Sequence, residues 1–249
     1  MARQKTRRLI GATAAMAGAL VTLACGSTAP VSLSADAQLY GGTIQVAPPT
    51  GQSTLPLAKI DEIKQVAGVK TAFPTYRFDA KTGQVQRAGV ALTESIVASD
   101  PTEAAWSGLK TDYAQGHAID ADSMGEVVLG SAIARELNKK IGDTVQLPLQ
   151  PNGGPTHTFK VVGILDATQS APDRSAYVNI TDGQMLLTDV WATGQSAGAD
   201  VTTVATAIDV YARPGASMSD LDQIASQINK QVAGVVAIKP SQLVDSLKS

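Results

Sequence analysis

Apolar and polar positions along the chain define its elements first. Thr43-Ile44-Gln45-Val46 alternates with the period of a half-buried strand, and Pro48-Pro49-Thr50-Gly51 ends it. Leu57, Ile60, Ile63 and Val66 then recur at helical spacing, with Lys59, Asp61, Glu62 and Lys64 on the solvent side. Gly68 supplies the left-handed conformation that a helix end needs, and residues 69–76 read as a second strand bounded by Pro74. The series returns near the other end of the chain. Residues 207–211 read as a strand, Pro214-Gly215 as a break, and Leu221, Ile224, Ile228 and Val232 as a helical stripe. Ser219 and Asp222 stand at capping-box spacing, Gly234 terminates the helix, and residues 235–238 form a strand ended by Pro240.

The two helix ends carry one string, Gln65-Val66-Ala67-Gly68-Val69 and Gln231-Val232-Ala233-Gly234-Val235. Its placement at the same point of two strand–helix–strand units reads as an internal duplication. A single βαβ unit cannot bury both its sheet face and its helix stripe. Two side by side form a split-βαβ sheet with both helices on one face. The expected fold is therefore α+β. Residues 38–86 plus 202–240 form the split-βαβ subdomain, and residues 87–201 are inserted as a β-rich subdomain. Residues 1–37 precede them as an anchor or signal segment and stalk, and residues 241–249 begin a C-terminal stalk helix.

The insert reads mostly as strand and turn. Strands are expected at 89–97, 126–129, 144–147 and 159–165, with a short helix over 131–138 whose inner face holds Ile133 and Leu137. Asn152-Gly153-Gly154 reads as a hairpin tip. Tyr177-Val178-Asn179-Ile180 precedes the apolar residues 185–187, and 194–200 reads as a loop.

Composition narrows the function. The 249 residues carry 20 Lys plus Arg against 22 Asp plus Glu, a net charge of −2 that excludes the basic footprint of a nucleic-acid binder. Aromatic residues are 4%, so the core is built from Ala, Val, Ile and Leu. One cysteine excludes an internal disulfide and a cysteine zinc cluster.

Arg3, Lys5, Arg7 and Arg8 precede an uncharged stretch at 9–25, near the lower limit of about 17 residues for spanning a bilayer. Positive charge before an apolar run keeps the N-terminus cytoplasmic and sends the downstream chain outward. Three readings stay open: a retained transmembrane helix, a cleaved signal peptide, or a lipoprotein signal. The third rests on Leu23-Ala24-Cys25-Gly26-Ser27, which makes Cys25 a candidate lipidation site, although Thr22 stands where an aliphatic residue is expected. Ala35-Asp36-Ala37 is a further cleavage pattern, far from the apolar core. All three readings place the body of the protein outside the cytoplasmic membrane.

The chain offers little catalytic material. Gly194-Gln195-Ser196-Ala197-Gly198 is a literal G-x-S-x-G, yet no histidine follows Ser196 to activate it, so it reads as a small-residue loop. Asp120-Ala121-Asp122 before Gly125 hints at a calcium loop but has Met124 and Ser131 where ligands belong, so it reads as an acidic turn. His117 and His157 lack partners at ligand spacing and read as solvated or locally bonded. No phosphate loop, cofactor or metal site is expected, and no enzyme activity.

One stretch carries a family pattern. Gly125-Glu126-Val127-Val128-Leu129-Gly130-Ser131-Ala132-Ile133-Ala134-Arg135-Glu136-Leu137 leads into Ile141-Gly142-Asp143-Thr144-Val145-Gln146-Leu147, and then Phe159-Lys160-Val161-Val162-Gly163-Ile164-Leu165. This resembles the MacB-like periplasmic core domain of FtsX-like ABC-transporter permeases, over about residues 38–246. Gly130 and Gly142 are expected at tight backbone positions, and Asp143 can bond its own turn.

The resemblance implies a first transmembrane helix before the domain and two subdomains, one built from both chain ends. Family permeases continue with further membrane helices, whereas no second apolar span occurs here. The expectation is thus a truncated product, one half of a split permease, or a free-standing anchored domain. The implied role is a non-catalytic extracytoplasmic domain that binds substrate or a partner protein and relays conformational change. Its implied partners are the cytoplasmic membrane, a cytoplasmic ABC ATPase and permease helices on another chain. The alternative is a free-standing lipoprotein adaptor anchored through Cys25.

Overall fold

A computed structural model describes residues 42–80, 94–107, 112–148, 156–169, 171–192 and 200–246. The first elements are β1 (Ile44–Ala47), β2 (Leu55–Pro56), α1 (Lys59–Lys64), β3 (Val69–Ala80), β4 (Glu94–Ser99) and β5 (Tyr113–Gly116). They are followed by β6 (Glu126–Leu129), α2 (Ser131–Glu136), β7 (Thr144–Pro148), β8 (Thr156–Leu165), β9 (Ser175–Val178) and α3 (Ile180–Ala192). The last are β10 (Val204–Ala205), β11 (Ala207–Ala212), α4 (Met218–Gln231), β12 (Val236–Ile238) and α5 (Pro240–Ser246).

The mixed α+β fold is organised on one sheet of order β12-β1-β11-β3-β4-β9-β6-β8-β5, with β7 also paired to β8. β1 lies antiparallel between β12 and β11, with Ile44 opposite Val210 and Val46 opposite Ile208. β11 in turn pairs antiparallel with β3. Each terminal βαβ unit therefore straddles one strand of the other: β1 and β3 flank β11, while β11 and β12 flank β1. This interleaving lets Ile44, Val46, Ile208 and Val210 form a common floor for Ile63 of α1 and for Leu221, Ile224 and Ile228 of α4. Burying each such side chain stabilises the layer by roughly 1.5–3 kcal/mol. The repeated string ends in equivalent turns, with Gly68 at φ +93° and Gly234 at φ +74°.

The middle segment extends this sheet. β4 pairs antiparallel with β3 from Thr75↔Ser99 onward and parallel with β9, β9 pairs antiparallel with β6, and β6 runs parallel to β8. A second core forms here around Tyr76, Ile96, Leu129, Phe159, Leu186 and Trp191. The expected junction at residues 86 and 87 lies outside the described residues, as do the hairpin tip at 152–154 and the loop at 194–199. The junction at 201 and 202 falls within a 3-10 turn, Val201–Thr203.

Several local expectations are corrected. Strand β3 does not stop near Pro74 but runs on to Ala80. Arg77 donates its N–H to Thr206 on the β11 side, so by alternation Pro74 turns its missing N–H toward β4, whose ladder begins only at Thr75. The cap of α4 is Ser217 with Asp220, not Ser219 with Asp222: Asp220 N–H donates to the Ser217 hydroxyl, and the Asp220 carboxylate accepts from Ser217 N. Asp222 instead accepts from Ser241 N at 3.2 Å, tying the start of α5 to α4. Residues 180–192, expected within strand and turn, form the helix α3. The Asn179 side chain caps it by accepting from Asp182 N at 2.7 Å. Gly183 marks a close approach, since a Cβ there would lie 2.4 Å from Ala98 Cβ.

Candidate functional site

Strand alternation gives the sheet two unlike faces. Even-numbered residues of β1, β3, β4 and β11 turn toward the helices: Ile44, Val46, Tyr76, Ile96, Ala98, Ile208 and Val210 are all buried in the two cores. Odd-numbered residues face the other way, and Thr43, Thr75, Arg77, Ser95, Asp209 and Tyr211 line a groove of about 670 Å³ there. A 3-10 turn, Pro101–Ala105, forms one wall through Pro101, Glu103 and Ala104. Asp100 caps that turn, accepting from Thr102 N at 2.8 Å.

Two carboxyls are buried in this groove, Glu103 from the middle segment and Asp209 from β11. Asp209 Oδ2 accepts from the Thr75 hydroxyl at 3.1 Å and is ion-paired with Arg77. Glu103 Oε1 accepts from the Tyr211 hydroxyl at 2.8 Å. Trp106 and Phe73 flank the Tyr211 ring, with centroids at 6.4 and 6.0 Å. Burial, and then the charge of Asp209, push Glu103 up to about 8, against the opposing effect of the Tyr211 hydroxyl and Arg77. Both effects favour the protonated form of Glu103. Burial, with Glu103 and Asp209 adding to it, also raises the Tyr211 phenol.

The residues singled out from the sequence lie elsewhere. Gly130, with φ −64°, approaches a neighbouring chain segment so closely that a Cβ would stand 2.1 Å from the Pro172 carbonyl oxygen. Gly142 has φ +89°, and the Asp143 carboxylate accepts from Lys140 N at 2.9 Å. In the acidic turn, Ser123 N and hydroxyl both donate to the Asp120 carbonyl, and Gly125 N donates to the Asp182 carboxylate at 3.1 Å. His117 bonds locally to the Ala118 carbonyl.

The solvated or locally bonded reading of His157 is corrected. It pairs across sequence with Asp189, joining β8 to α3 through a contact that no local spacing reveals. Cys25 and Ser196 lie outside the described residues, as does the apolar stretch at 9–25. Among the described residues, no helix is long and apolar enough to cross a membrane, and no group of three His, Cys, Asp or Glu could hold a metal ion.

Sequence reasoning passed over the buried cluster. Its one signal was Asp209, an acid inside an otherwise apolar strand, whereas Glu103 sits in a short polar stretch with no periodicity.

Comparison with known proteins places the fold. Solved structures similar to the chain include the periplasmic region of MacB from Actinobacillus actinomycetemcomitans, at 12% identity and TM-score 0.50, covering 85% of this chain and 95% of that one. The extracellular domain of the noncanonic ABC-type transporter YknZ from Gram-positive bacteria is similar at 13% identity and TM-score 0.49, covering 79% and 99%. A domain of a putative permease protein from Porphyromonas gingivalis is similar at 13% identity and TM-score 0.45, covering 80% and 91%. No curated protein matches the chain. The family model described as the MacB-like periplasmic core domain matches residues 9–231, nearly the whole chain, and does not favour the separate lipoprotein adaptor. The chain belongs to the MacB-like periplasmic core domain family of ABC-transporter permeases.

Proposed function

We propose that this chain acts as a non-catalytic extracytoplasmic domain that binds a substrate or partner protein on the face of the sheet turned away from its helices and relays movement through that sheet. The observation that carries the reading is the ladder between β3 and β4. Six residue pairs, from Thr75↔Ser99 to Ala80↔Glu94, join the layer built from the chain ends to the middle segment. A ligand seated in the groove touches both parts at once, since Thr75 and Asp209 come from the ends and Ser95 and Glu103 from the middle. Binding that favours one relative twist of the two parts shifts their equilibrium and is felt at β1 and β12. Membrane helices, an ABC ATPase and a membrane anchor for the chain belong to this proposal.

Site-specific photo-crosslinking in cells tests it. A photoreactive residue at Ser99, on the groove, is expected to capture a membrane or extracytoplasmic component, whereas one at Asp61 on α1 is expected to capture less. Equal capture from both positions, or capture from Asp61 alone, overturns the assignment of the groove as the contact face.

A further inference from the structure

The contact between Glu103 and Asp209 leads to a device within this groove. Both residues are buried, at 7% and 3% exposure, and line one groove, where the Asp209 carboxyl acts on Glu103 by charge and by hydrogen bonding. Asp209 Oδ2 is occupied by Thr75 and Arg77, while Oδ1 is buried with no N–H or hydroxyl donor. Two carboxylates cannot hydrogen-bond to each other without a proton between them, and an orphaned buried oxygen costs about 1–3 kcal/mol. The Glu103 carboxyl proton is the donor that resolves both problems.

We infer that Glu103 and Asp209 share one proton, and that this proton latches the turn Pro101–Ala105 onto β11, so that losing it to solvent releases one wall of the groove.

The groups acting on Glu103 are Asp209 and Tyr211 from β11 and Arg77 from β3. Arg77 is already engaged by Asp209, so ionisation of Glu103 leaves two carboxylates facing one guanidinium in a buried site. Within the turn, Pro101, Thr102, Ala104 and Ala105 are exposed. Glu103 is its one buried side chain, and Trp106 follows at its end, half-buried beside Tyr211. The shift of Glu103 to about 8 places release within a mildly alkaline range.

The consequence for binding rests on the groove being the contact face; the proton itself does not. Infrared difference spectra of the full chain, titrated from about pH 6 to about pH 9, test the proton directly. A protonated-carboxyl band that disappears near pH 8 and is missing from Glu103→Gln is expected. Movement is read from acrylamide quenching of Trp106 in a Trp191→Phe background, where it is the remaining tryptophan.

Quenching is expected to rise about twofold across the same range in that parent and to stay flat in Glu103→Gln, whose amide keeps the donor without titrating. Should Glu103→Gln fail to fold, Tyr211→Phe serves instead. Removing a hydroxyl that favours the ionised form should move the midpoint upward. A band that persists in Glu103→Gln, pH-independent quenching in the parent, or an unmoved midpoint in Tyr211→Phe overturns the latch. The infrared result stands or falls whether or not the groove contacts a partner, so its failure is distinguishable from failure of the cross-linking experiment.

Discussion

Gly68 and Ile224 meet so closely that a β-carbon on the glycine would lie 2.9 Å from both Cδ1 and Cγ1 of the isoleucine. The turn that ends the first βαβ unit thus packs against the helix of the second. Its counterpart Gly234 has the same left-handed backbone but open space where the β-carbon would stand. Gly234→Ala is therefore expected to cost about 1 kcal/mol from backbone strain, and Gly68→Ala about 2 kcal/mol because Ile224 must also shift. Urea denaturation of the two variants measures this; equal midpoints would show that Ile224 yields freely.

A second glycine pair separates steric from conformational cost. Gly130 has an ordinary φ, so Gly130→Ala fails only by collision with the Pro172 and Asp173 carbonyl oxygens, at 2.1 and 2.5 Å. Backbone atoms cannot rotate away, and a loss of about 3 kcal/mol is expected. Gly142→Ala meets nothing within 4 Å but must hold φ +89°, for about 1 kcal/mol. Thermal melts that rank Gly142→Ala as the worse variant would contradict the packing argument.

These glycines show what the chain made legible. Strands at 43–46 and 207–211 and the helical stripes over Ile63, Ile224 and Ile228 follow from local periodicity, whereas the interleaved strand order of the two chain ends does not. The helix α3 was not legible as one, and it carries Gly183, whose lack of a side chain is what admits Tyr76 and Ala98. The groove cluster was hidden for a different reason. Glu103 and Asp209 are far apart in sequence, and only the β3–β4 ladder brings the turn after Ser99 over β11.

Glu103 also predicts how stability varies with pH. Its folded value, about 8, lies above its ordinary 4.5, so the folded state holds the proton more tightly. The stability it contributes is complete below about pH 4.5 and is lost as pH rises through about 8. Denaturant midpoints of the native chain should fall relative to Glu103→Gln over that window, by a few kcal/mol at most. A difference that widens in the opposite direction would exclude the shifted carboxyl.

Asp173 predicts the reverse slope. Burial pushes its carboxyl up, but hydrogen bonds from Thr168 N and hydroxyl and from Gln169 N, each 2.8 Å, together with Ser131, outweigh this and hold it below its usual range. Those bonds also hold Gln169 at φ +57°. The stability so gained is present above the ordinary value of 3.8 and is lost as pH falls through the lowered one. Asp173→Asn should cost about 2 kcal/mol at pH 7 and flatten the acid limb of the stability curve. An unchanged acid limb in equilibrium unfolding would count against it.

His157 and Asp189 are each about a quarter exposed, which bounds their worth. A double-mutant cycle with alanine at both positions should give a coupling of about 0.5 kcal/mol that shrinks with added salt. A salt-independent coupling of several kcal/mol would require a far drier contact.

The antiparallel pairing of β1 with β12 has a mechanical corollary. Gln45 lies across from Ile238 and Ala47 across from Val236, so the first residues of one strand adjoin the last of the other. The chain enters and leaves this pair at one end. A displacement common to both connections carries the pair as a unit, whereas unequal pulls part the two strands one rung at a time. Under a common load such a pair moves as one body, and under opposed loads it opens in sequence.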